Sequence, residues 1–465
     1  MEENENPDNE NQELLQDLSE KGKTEELVEM FEELPTFDVV EFLREKSPTE
    51  IINHLEELDK DDQGRIFSDF DRDLQLTLFR SLNKKVTARI FSSMYSDTRA
   101  DLYQELSKDE QIELLPYLDK KTREDVIILS AYPRETAGGI MTTDFATIFI
   151  EMTAADAMAK IRTDAPSKDM IYYIFVVDDS MVLKGVVTLK ELVLANPKEK
   201  INELLQEFYV YAEVSEDRES VAQKIEKYDL AALPVVNSLN QLVGVVTHEE
   251  AIDVIHAEHT EDLEKFMGIL PSEQGDDYLN TSSIQHFKKR VVWLVGLAAV
   301  GIASGMIINE YKNMLEQFII LAMYMPMMAA TGGNTGSQSA TVIIRSLSLG
   351  QINDAEWISI VFKEIRISFL LSVCVAVLTY LKIVFLSFNS LLPQGFTLSH
   401  VGLTISFAIA VQVISSAAIG AGLPLLVRRM GGDPAVVASP AITTIVDITG
   451  LLIYFSMASS LLSLN

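Results

Sequence analysis

The chain has 465 residues, 48% of them hydrophobic, with 69 acidic against 38 basic side chains and a net charge of −31. That average hides two unlike regions, because from His286 onward ten Lys and Arg face seven Asp and Glu, which leaves a net −34 on everything before it. A field of that sign repels nucleic acid and attracts cations, and the lone Cys374 rules out an intramolecular disulfide or a Cys-built metal site.

Residues 1–12, MEENENPDNENQ, read as a disordered polar start without the apolar stretch of a cleavable signal, so the acidic half is expected in the cytoplasm. From 13 to 135 the pattern is helical and repeats every 24 residues: Leu58, Leu82 and Leu106 are one series, Ile66, Ile90 and Leu114 a second, Phe67, Phe91 and Leu115 a third, Phe70, Met94 and Leu118 a fourth. Paired short helices that cannot bury an apolar face alone stack into an α-solenoid, which binds or positions something more often than it catalyses.

Between 136 and 256 the periodicity changes to short β-rich runs alternating with helices, and a second repeat appears, with IFVVDDSMVLKGVVTLKELV matched by LPVVNSLNQLVGVVTHEEAI. The boundary between the copies falls near 197–198. Thr188 and Thr247 are helix N-caps with Glu191 and Glu250 three residues on, the spacing of a capping box. The two units resemble a tandem pair of cystathionine-β-synthase-type (CBS) modules, an α/β fold that often binds adenine nucleotides in its cleft. In that family an Asp commonly stands where Glu191 is, so a nucleotide contact by Thr188 and Glu191, with ATP as ligand, and a purely structural cap both stay open. Residues 257–287 read as an acidic connecting helix, placed where a gate would be. His54, His248, His256 and His259 are scattered, and no nucleophile, base and oxyanion-donor set is visible, so no enzyme is expected.

The remainder, 288–465, holds five segments of bilayer-spanning length, at about 289–309, 316–344, 357–388, 398–427 and 436–462. With a cytoplasmic N-terminus the inside loops receive Lys288, Lys289, Arg290, Arg345, Arg428 and Arg429, while the loop at 389–399 and the extracytoplasmic C-terminus receive neither Lys nor Arg. The second segment sets Pro326, Gly332, Gly333, Asn334, Gly336, Ser337 and Gln338 into what should be hydrocarbon, which favours a broken or pore-lining helix over a tight small-residue contact. The last carries Asp447 amid apolar residues, a functional hypothesis by default. Ser439, Thr443 and Asp447 share a helical face, and Pro440, lacking an amide hydrogen, frees a carbonyl of the preceding turn.

GGNTGSQ in the second segment, together with GLPLLVRRMGGDPAVVASPAITTIVDITG before and within the last, resembles the MgtE family of Mg²⁺ channels. The order of parts agrees over essentially the whole chain: a helical superhelix, a tandem CBS pair entered by PRETAGGIMTTDF, an acidic connecting (plug) helix and five spans. The resemblance implies a multi-pass plasma-membrane homodimer whose ion path is lined by the second and fifth spans. Asp447 matches the pore aspartate, with Thr443 and Ser439 offering further oxygens; Ser439 stands where Asn or Gly is frequent. It also implies regulatory Mg²⁺ positions at Asp97, Asp101, Glu250, Asp253, Glu258, Glu261 and Asp262, through which cytosolic Mg²⁺ would close the path. A broader divalent carrier or exporter and a non-conducting Mg²⁺ or nucleotide receptor are the alternatives.

Overall fold

The computed structural model describes residues 7–21, 23–164, 170–206, 210–271, 278, 281–352, 356–390, 392–437 and 439–462. Two compact units divide the chain, Met1–His256 and Ala257–Asn465.

The first unit begins with ten helices: α1 (Pro7–Glu20), α2 (Thr24–Glu33), α3 (Thr36–Arg44), α4 (Pro48–Glu57), α5 (Lys60–Ser68), α6 (Arg72–Ser81), α7 (Lys84–Ser93), α8 (Ser96–Glu105), α9 (Lys108–Leu114) and α10 (Lys120–Leu129). From α3 onward a helix starts every 12 residues, so the 24-residue repeat is two helices. Ser47, Asp59, Asn83, Ser107 and Asp119 each accept a hydrogen bond from a first-turn amide, which satisfies donors a helix start would leave bare. Every second helix packs on the next, α5 on α7 and α4 on α6. The repeating positions Ile66, Phe67, Ile90, Phe91 and Leu114 are buried in their common core. At the α5–α7 crossing, a Cβ on Gly64 would fall on the carbonyl oxygen of Ser93.

The expected disordered start is corrected in part. α1 begins at Pro7, and Asn11 and Gln12 donate to the Asp38 carboxylate (2.9 Å) and carbonyl (2.8 Å) on α3. These polar residues are helical because their partners lie 26 and 27 positions away. Residues 1–6 lie outside the described residues.

Two α/β modules follow. The first contains α11 (Ala137–Ile140), β1 (Phe145–Phe149), α12 (Ala154–Asp164), β2 (Met170–Val177), β3 (Leu183–Thr188) and α13 (Leu189–Leu194). The second contains α14 (Ile201–Leu204), β4 (Ala212–Glu213), α15 (Arg218–Tyr228), β5 (Ala232–Val236), β6 (Leu242–Thr247) and α16 (His248–Phe266). Each sheet has three strands, the first pair parallel and the second antiparallel. The internal repeat reaches register level: Gly185 pairs with Val176 and Gly244 with Val235, followed in both by a bulge. Phe145, Phe175 and Val186 share a buried cluster with Ala232, Leu242 and Val245, so one core joins the modules.

The connecting helix is not a separate element starting at 257. α16 begins at His248 inside the second module and runs through 256, where the sequence has no breaker. It stops at Gly268 (φ +70°), with Gly268 N–H donating to the Lys265 carbonyl and Ile269 N–H to that of Glu264, the double closure of a glycine-ended helix. Of the stretch read as its continuation to 287, residues 272–277, 279 and 280 lie outside the described residues.

The second unit contains α17 (Ser283–Val300), α18 (Ile302–Glu310), α19 (Lys312–Gln317), α20 (Ile319–Ser348), α21 (Trp357–Leu386), α22 (Leu398–Arg429), a 3-10 turn at Pro434–Val436 and α23 (Ser439–Leu461). Among the described residues four stretches are long and apolar enough to cross a membrane: Ser283–Glu310, Trp357–Leu386, Leu398–Arg429 and Ser439–Leu461. Five were expected. α20, at 30 residues, has the length, but its Gly, Ser, Thr and Asn content dilutes its apolarity. α20 is also unbroken, running as one helix through Pro326 and the glycines, so of the two expected alternatives, a broken or a pore-lining helix, the broken one is overturned.

Replacing Gly64 by Ala tests the solenoid packing. Helix propensity alone favours Ala by up to about 1 kcal/mol, but overpacking against a backbone atom costs about 1–3 kcal/mol. Thermal unfolding should show a lowered midpoint for Gly64→Ala; a raised one would contradict the close approach of α5 to α7.

Candidate functional site

The membrane unit is built around a glycine seam. α20 lies against α22 and α23. A Cβ on Gly332 would sit 2.7 Å from the Gln412 amide nitrogen and 3.0 Å from Val446, one on Gly336 would sit 3.2 Å from Ile442 and Val446, and one on Gly420 would fall on the Gly336 carbonyl. Gly332 and Gly333 are therefore buried contact residues, the role that small residues play where helix backbones must approach closely. Asn334 and Gln338, one turn apart on α20, are exposed in the single chain.

On α23, Ser439 and Ser337 of α20 share a hydroxyl hydrogen bond of 2.9 Å. Thr443 packs over Gly333. Pro440 corrects an expectation: it is the second residue of α23, not an interior break, and its carbonyl accepts from both Thr443 Oγ1 (2.9 Å) and Thr444 Oγ1 (2.8 Å). Asp447, four and eight positions beyond Thr443 and Ser439, lies nine residues into the helix and is half-buried. Among the described residues its carboxylate forms no hydrogen bond and no ion pair. Sequence reasoning missed a carboxylate on another long apolar helix: Glu364 on α21 accepts from the buried Ser339 of α20 at 2.9 Å. It lies in IVFKEIRIS, flanked by Lys363 and Arg366, inside the span at 357–388, a setting from which its Ser339 partner on α20 is not legible.

In the first unit, α8 and α16 bring Asp97, Asp101 and Glu250 into one acidic neighbourhood. The Asp97 and Glu250 carboxyl groups are within hydrogen-bonding reach of each other, a contact that needs a shared proton or a cation. Burial first, then Asp97, Asp253 and Asp101, push Glu250 well above the usual carboxylate range. Burial likewise raises Asp97, reinforced by Asp101 and Asp144. Asp101 is also raised by burial, although Arg72 at 3.0 Å and Arg134 at 3.5 Å pull the other way. Asp253 is exposed on α16.

In the second unit the end of α16 is tied to membrane helices. Asp262 accepts from Ser348 Oγ of α20 at 3.0 Å, and burial raises its pKa. Lys265 pairs with Glu261 (2.6 Å) and with Asp433 (2.8 Å), whose other oxygen caps the 3-10 turn before α23. Glu258 is half-buried on the same helix. Among the described residues no three His, Cys, Asp or Glu side chains converge into a metal cage. At Thr188 the cap is the realised arrangement: Glu191 accepts from the Thr188 amide and hydroxyl at 2.8 Å each, and its other oxygen accepts from Gln206.

Residues 325–457 match the profile of MgtE, a divalent cation transporter; 34–135 match the MgtE intracellular N domain, and 137–198 and 201–257 each match a CBS domain. The chain is similar to the magnesium transporter MgtE of Thermus thermophilus, with 36% identity over 345 residues and 74% of each chain covered. It is similar also to the magnesium transporter MgtE of Bacillus subtilis, with 34% identity over 337 residues, 72% of this chain and 71% of that one. Among solved structures, the soluble part of a magnesium transporter aligns with 29% identity and a TM-score of 0.51, covering 54% of this chain and 99% of that one.

The raised carboxyls carry a signed pH dependence. A folded pKa above the unfolded value means that the folded form binds more protons, so the stability of Met1–His256 falls as pH rises from the ordinary carboxylate range through the folded pKa. In divalent-free buffer Asp97→Asn should flatten that fall and raise the thermal midpoint at pH 7 by roughly 2–4 °C, the equivalent of about 1 kcal/mol in a unit of this size. A lower midpoint for Asp97→Asn at neutral pH would contradict the repulsion.

Proposed function

The chain belongs to the MgtE family of divalent cation transporters, and from that premise we propose that it conducts Mg²⁺ across the cytoplasmic membrane and closes when Mg²⁺ binds its acidic soluble domains. The observation that carries the reading is Asp447: a half-buried carboxylate within a spanning helix, without a hydrogen bond or a cation among the described residues. A bare charge at that depth is costly, and it persists where water or an ion reaches it.

Mg²⁺ holds its waters tightly and prefers an octahedron of oxygens, so a site that reads the hydrated ion is easier to cross than one that strips it. In a homodimer the α20 and α23 faces of two copies meet at the two-fold axis. Two Asp447 carboxylates facing one another repel until a divalent cation stands between them. Asn334 and Gln338, exposed on α20, supply further polar groups to that path, with Ser439 and Thr443 toward one end. Gly332 and Gly333 shape it by letting α20 and α23 approach rather than by touching the ion, and Pro440 opens α23. Conduction needs a hold weak enough to release. α20 is then the second of five spans, covered by its neighbours rather than by lipid, and the C-terminus is extracytoplasmic.

Gating follows from the acidic pair. Mg²⁺ that keeps most of its waters needs only one or two carboxylates, so Asp97 and Glu250, with Asp101 and Asp253 adding field, are an adequate set without a full cage. A cation there replaces repulsion by attraction and favours the state in which α8 and α16 lie together, a population shift by differential binding. α16 is one helix from Glu250 to Lys265, so what happens at its start is carried along its length past Glu258, Glu261 and Asp262. ATP at Thr188 and Glu191 would require the Glu191 cap to open. Glu364 gives one observation to a second reading, a coupled carrier with two membrane carboxylates.

Purified protein in liposomes should take up Mg²⁺ with no Na⁺ or proton gradient, and Asp447→Asn should lower the rate at least roughly tenfold, the equivalent of about 1.4 kcal/mol at the barrier. Dependence on an imposed gradient would favour the carrier, and absence of flux would end the transport reading. Millimolar Mg²⁺ should also raise the thermal midpoint of the native chain, and this stabilisation should be largely lost in Glu250→Gln, by the linkage of binding to folding. Equal stabilisation of both would remove Glu250 from the sensor.

A further inference from the structure

Gln412 sits near the middle of α22 and is 1% exposed. Its Nε2 donates to the Val446 carbonyl at 2.8 Å, across to α23. Two glycines make room for it. A Cβ on Gly332 of α20 would approach the amide nitrogen to 2.7 Å, and one on Gly450 of α23 would overlap the amide, lying 2.7 Å from its carbon. Val446 also accepts from Thr449 Oγ1 at 3.1 Å, so its carbonyl is a shared acceptor.

The other end of the amide tells what the residue is for. Gln412 Oε1 is buried with no hydrogen-bond partner among the described residues. Turning the amide over would set oxygen against the Val446 carbonyl, so the donor end must face α23. Half-satisfied amides are unfavourable in apolar surroundings, and a Met of similar size would fill the same space without that cost. Packing therefore does not account for a Gln here; the tie to Val446 does. Val446 directly precedes Asp447, and consecutive helix side chains diverge by about 100°. With Val446 fully buried toward α20 and α22, Asp447 is turned out of that contact.

We infer that Gln412 is a positioning residue that fixes the rotation and depth of α23 so that Asp447 meets the ion; this rests on the pore role of Asp447 proposed above. Its effect reaches the ion only through α23.

The test is Mg²⁺ flux into liposomes across a range of external Mg²⁺, with the native chain, Gln412→Met, Gln412→Asn and Asp447→Asn compared at matched thermal stability and oligomer size in detergent. The expected result is loss of flux in Asp447→Asn and a five- to tenfold rise in the half-saturating Mg²⁺ concentration in Gln412→Met, with its thermal midpoint near native. Gln412→Asn keeps an amide but withdraws it by one methylene, and must move the same way; it decides the matter if the Met variant does not fold. Half-saturation within twofold of native in the folded Gln412 variants, with flux lost in Asp447→Asn, overturns the positioning role and leaves the pore intact. A lowered maximal rate and midpoint with unchanged half-saturation would make Gln412 a packing residue only and also overturns it. Native flux in Asp447→Asn would instead remove the pore reading on which the inference rests.

Discussion

Carboxylates held without enough cations of their own are the constraint on which the rest depends. The acidic half carries a net −34 before His286, and at its densest point Asp97 and Glu250 face each other closely enough to require a proton or an ion between them. In the membrane half Asp447 lies within a spanning helix with no partner among the described residues. Each arrangement is unfavourable in isolation, and the proposed function has a divalent cation relieve both. On the proposed reading, a protein left incomplete in this way in both halves answers to the ion it carries.

The folds supply rigidity where that charge has to be held. In the solenoid, Arg72 and Arg134 fix Asp101, leaving Asp97 as the less compensated partner of Glu250. In the membrane unit, Gly332, Gly336 and Gly420 bring α20, α22 and α23 into backbone contact, so that Val446 is sealed inward and the neighbouring Asp447 is not. At the junction, Lys265 joins Glu261 to Asp433, and Asp433 in turn caps the turn that leads into α23. One helix thus ends on groups that define where the last span begins.

What could be read in the sequence was whatever is local or periodic. The 24-residue apolar repeat marked the solenoid because each helix pair reuses the same core positions, as Ile66, Ile90 and Leu114 do. Gly185 and Gly244 marked equivalent strand positions because both sheets share one register. Asp447 stood out because an acid amid apolar residues has few explanations. What was missed depends on partners distant in the chain. The start of α1 is held by Asp38, and the glycines of α20 are explained by Gln412, Ser416 and Val446, residues that no window around GGNTGSQ contains. The place of Pro440 at the start of α23 was not legible because the helix begins at Ser439, three residues after a 3-10 turn that composition does not reveal. Asp97 and Glu250 are 153 positions apart and were paired only through family resemblance.

The central claim is that the ion that crosses the membrane half also closes it through the soluble half. Electrical recording of the purified chain in a planar bilayer, with Mg²⁺ as the sole permeant cation and its concentration stepped on the side of the soluble domains, tests this most directly. The account predicts that open probability falls as Mg²⁺ on that side rises from micromolar to millimolar, while the current through each open channel persists. Open probability that is unchanged, or that rises, over that range would contradict it.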